Sequence, residues 1–166
     1  MRPAGTAVIA LAAALGGCRS PDPQAVLEVS NVETYWAIDS AQGDTQYIAP
    51  VVRLQVRNRG AEPLRSVQAT ATFRRKGEEA VTWGADWRQV GSSGHPLAPG
   101  PTTLVVLKSD ARYFSNGPVE GMFNHEKFRD AFVEVFLRVG SSPWTKFAAV
   151  DIERRVGTRS VQPAAP

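Results

Sequence analysis

The sequence predicts an all-β domain, an antiparallel β-sandwich of about seven to eight strands with at most one short helix. Three observations predict this fold class. The dominant hydrophobic period is two residues, clusters of Gly, Pro, Asn and Ser separate the alternating segments, and about eight such segments fit into fewer than 150 residues. Short strands that are regularly separated by turn signals are typical of sandwiches.

The clearest alternation lies in two neighbouring segments. In residues 51–57 every second residue from Val52 onwards is apolar, and residues 66–74 repeat this pattern. A period of two places one face of a strand against the core and the other face in solvent. Turn-forming residues lie between the two segments, at positions 58–63. We therefore expect the two segments to form an antiparallel strand pair.

The remaining elements follow the same signals. Six further strands are expected, at residues 26–30, 35–39, 80–90, 102–108, 132–139 and 145–154. The last three are richer in apolar residues than simple alternation gives, which favours central positions in the sheets. A single helical turn is predicted at residues 124–131, with Asn124 as its N-cap, and we expect it to cross from one sheet to the other.

The N-terminal segment predicts export. A basic start precedes the uncharged run AVIALAAAL at residues 7–15, which is shorter than the roughly 20 residues that cross a bilayer as a helix. The boundary Leu15-Gly16-Gly17-Cys18 resembles the lipobox of bacterial lipoproteins. This resemblance implies cleavage before Cys18 and acylation of its thiol with fatty chains such as palmitate. The alternative, a buried thiol behind a core helix of residues 1–17, leaves the position of the only cysteine unexplained.

The lipobox resemblance also implies an address. Two or more acyl chains hold a protein stably on a bilayer, so we expect a lipid anchor in the bacterial cell envelope. Residue 19 is Arg, whereas Asp there resembles an inner-membrane retention signal of enterobacteria, so the periplasmic face of the outer membrane is favoured. The expected organisation is a signal peptide at 1–17, a lipidated cysteine and tether at 18–24, the sandwich at 25–156 and a disordered tail at 157–166.

Charge and cysteine content exclude several classes of protein. Removing residues 1–17 from the 166 leaves 149 residues with 18 Lys and Arg against 16 Asp and Glu, interspersed along the chain. No basic block of the kind that nucleic-acid binders carry is present, so no nucleic-acid partner is expected. With its only cysteine assigned to lipid, the domain has no internal disulfide and depends on a hydrophobic core.

Three short stretches resemble bacterial immunoglobulin-like modules of the FxLYD type. They are LQVRNRG at 54–60, PLRSV at 63–67 and LAPG at 97–100. The resemblance covers roughly 60 of the 149 residues, and the F-x-L-Y-D signature itself is not found. It implies an immunoglobulin-like or fibronectin-III-like sandwich that acts as an accessory or adhesive module without an active site.

The sequence contains no arrangement of residues that is typical of an active site, which favours a non-catalytic protein without a cofactor. Ser92, Ser93 and His95 lie close together, but no strand–turn–helix nucleophile elbow surrounds them. Carboxylate pairs such as Glu78 and Glu79 fall at strand ends or in loops. Met122 and His125 offer copper two suitable ligands, yet a stable site needs three or four.

The aromatic residues give the binding hypotheses. Trp83 and Trp87 are four apart in the predicted strand 80–90, so we expect both indoles on one face, where exposed rings would stack on sugars and buried rings would belong to the core. Further candidate binding residues lie in two long connections, at 91–101 and 109–127, where β scaffolds usually carry recognition. These candidates are His95, Tyr113, Phe114 and Phe123.

Three functions remain open from the sequence. The first is a membrane-anchored binding or assembly accessory that contacts the lipid bilayer through acylated Cys18 and a partner protein of the envelope through its connections. The second is a module that binds peptidoglycan or another polysaccharide with Trp83 and Trp87. The third is a periplasmic metal carrier that uses Met122 and His125. A structural spacer without a specific ligand is the remaining alternative.

Overall fold

The structure, a computed structural model, describes residues 20–42 and 45–157, without the side chains of residues 40–42 and 120. The predicted signal peptide, Cys18 and residues 158–166 of the predicted tail lie outside the described residues. Within them, the chain forms nine strands and two four-residue helices. In chain order these are α1 Pro23–Val26, β1 Leu27–Gln42, β2 Thr45–Asn58, β3 Val67–Arg75, β4 Gly84–Gly91, β5 Thr102–Lys108, β6 Tyr113–Ser115, α2 Val119–Met122, β7 Ala131–Val139, β8 Thr145–Asp151 and β9 Val156–Gly157.

The strands form two sheets that face each other. The first sheet has the order β5-β2-β1-β9, and β6 also pairs with β2. The second sheet has the order β4-β3-β7-β8. All pairs are antiparallel except β1 with β9, which is parallel. This architecture confirms the predicted all-β sandwich.

Alternating side chains build the core between the sheets. In β3, Val67, Ala69, Ala71 and Phe73 are fully buried while the residues between them are partly exposed. The nine residues of β7 show the same strict alternation. Burial of apolar surface contributes about 25 cal/mol per Å² to the stability of the folded state. The core therefore stabilises the domain, as expected for a chain without a disulfide.

The predicted pairing of residues 51–57 with residues 66–74 is wrong. The first segment belongs to β2, which pairs with β1, β5 and β6, and the second belongs to β3, which pairs with β4 and β7. The connection between β2 and β3 crosses from one sheet to the other, so the two apolar faces meet across the core. Alternation fixes which face of a strand is buried, but it does not fix the neighbouring strand.

Several element bounds also differ from the sequence prediction. The predicted strands 26–30 and 35–39 are one strand, β1, whose register shifts between Ser30 and Glu33. Asn31 adopts a positive φ of 50° at this bulge, a conformation that Asn tolerates better than most residues. The strand expected to begin at residue 80 begins at Gly84, because residues 76–83 form the turn that follows β3.

The helical turn lies earlier than predicted. It forms at Val119–Met122, after Pro118, and the N–H of Asn124 donates to the Gly121 carbonyl at 3.2 Å. Asn124 therefore follows the helix rather than capping its start. The connection that contains α2 does lead from the first sheet to the second, as expected. The strands β6 and β9, with three and two residues, are too short for the alternation to predict.

The sandwich has two ends that matter for the site. The lower end consists of α1 and the connections 59–66, 92–101 and 140–144, and the upper end consists of the connections 76–83, 109–130 and 152–155. The nine residues of β7 run between them, so the ends lie about 30 Å apart at roughly 3.3 Å per residue. The two long connections that the sequence singles out therefore lie at opposite ends.

Candidate functional site

An aromatic cluster holds the 109–130 connection against the upper end of the core. Trp36 of β1 is fully buried at its centre. Four rings surround it, with centroid distances of 6.2 Å to Trp83, 5.8 Å to Tyr113, 6.2 Å to Phe123 and 5.2 Å to Phe128. Ring pairs at these separations add to the stabilisation that burial provides. Three of the candidate binding residues, Trp83, Tyr113 and Phe123, thus serve to pack this connection.

The prediction that Trp83 and Trp87 share one face is wrong. Trp83 precedes β4 and packs inward, its ring centroid 4.9 Å from that of Tyr113. Trp87 lies opposite Thr70 in the register of β3 and β4, on the outer side of the sheet, and is 47% exposed. A spacing of four residues places two side chains on one face only within a continuous strand, and this strand begins after Trp83.

Phe114 presents the most exposed large apolar side chain among the described residues, at 66%. It lies opposite Tyr47 in the pairing of β6 with β2, and the two ring centroids are 6.4 Å apart. The Arg112 guanidinium stacks over the Tyr47 ring at 4.5 Å. We call the surface formed by Asp39, Tyr47, Lys108, Arg112 and Phe114 the β6 patch.

Asp39 joins the charged side chains of the β6 patch. Its carboxylate accepts hydrogen bonds from Lys108 Nζ and, at 2.9 Å, from an Arg112 terminal nitrogen. The Lys108 hydrogen bond is the main cause that lowers the pKa of Asp39 below its ordinary value, with the Arg112 charge adding to it and partial burial opposing it. Because two cations hold one carboxylate, the Arg112 side chain that supports Tyr47 is fixed in place.

The other predicted contact element, residues 91–101, forms a compact loop at the lower end. The His95 carbonyl accepts a hydrogen bond from the Ser92 N–H at 2.9 Å, and the His95 N–H donates to Ser92 Oγ at 3.2 Å. Leu97 is buried and exchanges two backbone hydrogen bonds with Leu64. His95 is exposed on this loop, far from the β6 patch.

Asn58 connects the first and third of the stretches that carry the FxLYD resemblance, and the Leu64–Leu97 backbone bonds join the second stretch to the third. Its side chain is fully buried and donates to the carbonyls of Glu62 at 2.8 Å and Leu97 at 3.0 Å. Its Oδ1 accepts from the N–H of Gly60 at 2.8 Å, and its backbone carbonyl accepts from the N–H of Gly100 at 3.1 Å. The stretches thus meet at the lower end as one structural junction.

The residues that follow the predicted lipidation position pack against the lower end. Asp22 caps α1 by accepting from the Gln24 N–H at 3.1 Å. The Arg59 guanidinium donates to the Gln24 carbonyl at 2.8 Å, and Ser20 Oγ accepts from the Ser141 N–H at 3.0 Å. The described part of the expected tether, residues 20–24, is therefore attached to the domain instead of extending from it.

The geometry does not assemble the proposed metal ligands. The Met122 side chain is 7% exposed and belongs to the core, whereas His125 is exposed and its Nδ1 accepts from the Lys127 N–H at 3.1 Å. Across residues 20–42 and 45–157, no group of three His, Cys, Asp or Glu side chains is placed to hold a metal ion. In the same part of the chain, no helix has the length and apolar character needed to span a membrane.

Comparison with known proteins adds two weak structural likenesses. No family model and no curated protein matches the chain. A crystal structure from Bordetella pertussis, described as an ApaA protein, has 14% identity and a TM-score of 0.38, covering 77% of this chain and 93% of that one. An X-ray structure of a Northeast Structural Genomics Consortium target has 9% identity and a TM-score of 0.42, covering 87% and 96%. At these TM-scores neither likeness bears on function.

Proposed function

We propose that this protein is a membrane-anchored, non-catalytic accessory that binds another protein of the bacterial envelope. Acylated Cys18 would hold it on the bilayer, and the periplasmic face of the outer membrane is the favoured location because Arg19 stands where an inner-membrane signal would have Asp. The observation that carries the proposal is the packing of residues 20–24 against the lower end of the sandwich.

This packing determines which end would face the membrane. Cys18 precedes Ser20 by two residues, which span at most about 7 Å. Ser20 is hydrogen-bonded to Ser141 in the turn after β7. Lipid on Cys18 would therefore hold the lower end beside the bilayer. The upper end would then project about 30 Å from the membrane surface, with the β6 patch accessible to a partner.

The β6 patch has the character of a protein-contact surface. Phe114 exposes an apolar ring on a strand that is paired with β2. Its neighbour Tyr47 lies under the Arg112 guanidinium, which Asp39 links to Lys108. An aromatic anchor inside a polar rim is typical of the residues that dominate binding energy in interfaces. The neighbouring aromatic cluster packs the connection against the core, so little conformational entropy should be lost on binding.

Site-specific photo-cross-linking in intact cells tests this function. A photoreactive residue at Phe114 should cross-link one envelope protein near stoichiometrically, whereas the same residue at Ser93, in the lower-end loop, should not. The Cys18→Ala variant should lose the adduct, because the unanchored protein is no longer held near its partner. An unchanged adduct in Cys18→Ala would refute the role of the anchor, and cross-linking only from Ser93 would refute the β6 patch as the contact surface.

A further inference from the structure

The outer face of the second sheet carries a row of side chains that the proposed function does not use. Trp87, Thr70, Phe136 and Lys146 lie opposite one another in successive strands. Trp87 is 47% exposed, and Phe136 is partly exposed. Trp87 and Phe136 are two strand spacings apart, about 9.5 Å between backbones. Two aromatic side chains thus lie on the solvent-facing side of one sheet, with Thr70 between them and Lys146 Nζ 5.7 Å from the Phe136 ring centroid.

A second row beside the first one is polar and holds a cation in a fixed orientation. Gln89, Gln68 and Arg138 lie opposite one another. Arg138 Nε donates to Gln68 Oε1 at 2.5 Å, and the guanidinium stacks on the Trp144 ring at 4.6 Å. No carboxylate among the described residues pairs with Arg138.

The neighbouring cations of this face, Lys146 and Arg74, share one carboxylate. Glu134 pairs with Lys146 and with Arg74, whose Nε lies 3.4 Å from the Glu134 carboxylate. Arg138 therefore gives the face an uncompensated positive charge that is oriented before any ligand arrives. A guanidinium in this state matches a carboxylate, which accepts two parallel hydrogen bonds from its planar edge.

We propose that this face binds an acidic glycan, one whose sugar rings carry carboxylates. One ring would stack on the Trp87 indole, and a carboxylate on a neighbouring ring would pair with Arg138. The Cα atoms of Trp87 and Arg138 are roughly 12 Å apart, from two strand spacings and a two-residue step, so the charge belongs on a different ring from the stacked one. The Gln68 amide lies between them and holds the guanidinium in place by accepting from Arg138 Nε.

Charge complementarity favours a glycan over a protein partner on this face. An apolar protein surface that covered Trp87 would also cover Arg138 without supplying an opposite charge, and burying an unpaired cation is costly. A carboxylated sugar satisfies the aromatic ring and the guanidinium together. This inference does not rest on the lipid anchor or on the β6 patch.

Binding measurements on the full chain test the inference. The probes are oligogalacturonate, muramic-acid-containing glycan strands released from peptidoglycan, and a neutral gluco-oligosaccharide of equal length, titrated calorimetrically. The native protein should bind one acidic probe at least tenfold more tightly than the neutral one, and the preferred probe identifies the source of the glycan. Trp87→Ala should weaken that binding at least tenfold, whereas Trp87→Phe should retain most of it.

Two further variants separate the contributions. Arg138→Gln should reduce the preference for the acidic over the neutral probe at least fivefold, because the amide keeps polarity but removes the charge. Leu104→Ala, which removes an exposed apolar side chain on the other sheet, should leave the affinity unchanged. Equal urea midpoints would show that each variant is folded. Absence of binding to both acidic probes at millimolar concentration, or unchanged affinity in Trp87→Ala, would overturn the proposal.

Discussion

At the scale of single residues, the Asn58 side chain stabilises the lower end beyond what its size implies. It is fully buried and satisfies two backbone groups, the Glu62 carbonyl and the Gly60 N–H, and it gives the Leu97 carbonyl a second donor beside the Leu64 N–H. A buried backbone group that loses its partner costs about 1–3 kcal/mol. The stability of the crossing between β2 and β3 therefore depends on one amide.

Replacing Asn58 by Ala should lower the free energy of unfolding by about 3 kcal/mol, because the Glu62 carbonyl and the Gly60 N–H lose their partners and the Leu97 carbonyl loses one of its two donors. Asn58→Asp should not restore it, since a carboxylate has no N–H to donate. The measurement is urea denaturation of the full chain, followed by tryptophan fluorescence. Asn116→Ala is the control, because Asn116 is exposed and accepts one bond, from Thr45 Oγ1; its effect should stay below about 0.5 kcal/mol. Equal midpoints for the two Ala variants would contradict this role of Asn58.

At the scale of elements, the close contact between β4 and the segment after β5 depends on the absence of a side chain. A Cβ on Gly84 would overlap Ser109 Oγ and lie 3.0 Å from Ala111 Cβ. Ser109 is 2% exposed.

Two carboxylates accept hydrogen bonds from backbone N–H groups of β4 and β5. The Asp110 carboxylate accepts from the Ala85 N–H at 2.9 Å, and the Asp86 carboxylate accepts from the Lys108 N–H at 2.9 Å. These carboxylates occupy N–H groups that an added strand would otherwise use.

Gly84→Ala should destabilise the domain by about 1–3 kcal/mol, the usual cost of forcing an extra methyl group into a packed site. Gly94→Ala is the matched control, because nothing lies within 4 Å of a Cβ at Gly94. This substitution should be neutral or slightly stabilising, by less than about 1 kcal/mol. Thermal unfolding of both variants decides the question, and a Gly84→Ala protein as stable as the native one would show that the contact can relax.

The elements also show how far the sequence alone can predict this structure. The bounds of β5 agree with the prediction, because turn residues flank it on both sides. The partner of β2 could not be predicted, since alternation specifies a buried face and not a neighbour. The candidate site was only partly predictable for the same reason. Tyr113 and Phe114 are adjacent, yet the first packs on Trp36 and the second is exposed. Only the pairing of β6 with β2 determines which of the two rings faces the core and which faces solvent.

At the scale of the whole molecule, ion pairs between distant segments make stability depend on pH. Asp130 accepts two hydrogen bonds from Arg154, at 2.7 and 2.8 Å, and these are the main cause that lowers its pKa. The pKa values of Asp39 and Glu134 are lowered chiefly by hydrogen bonds from Lys108 and Lys146. A lowered pKa in the folded state means that the stabilisation is complete above the unfolded-state pKa and is lost as the pH falls through the folded-state value.

The stabilisation by these three groups should therefore be complete and independent of pH around neutrality, and it should fall once the pH drops below the ordinary carboxyl values of 4.5 for Glu and 3.8 for Asp. Asp130→Asn should lower the urea midpoint at pH 7, because the charge partner of Arg154 is lost. The difference from the native protein should shrink toward pH 3, where the native carboxyl also begins to be protonated. A difference that is constant from pH 7 to pH 3 would show that the ion pair contributes nothing to stability.

The proposed lipid anchor and the packing of residues 20–24 together predict an orientation on the membrane, which is measurable without knowing the partner. Single cysteines at Ser93 and Val81 flank β4, one at each end of the sandwich and about 25 Å apart along its eight residues. In the lipidated protein the Cys18 thiol is blocked by lipid, so a donor dye can label only the introduced cysteine. On vesicles with acceptor dye in the headgroups, energy transfer from Ser93→Cys should exceed that from Val81→Cys.

A flexible Gly-Ser insertion between Arg19 and Ser20 should abolish this difference, because it separates the anchor from the lower end. Equal transfer from both positions in the native chain would mean that the lower end does not face the bilayer, and the β6 patch would lose its argument for accessibility.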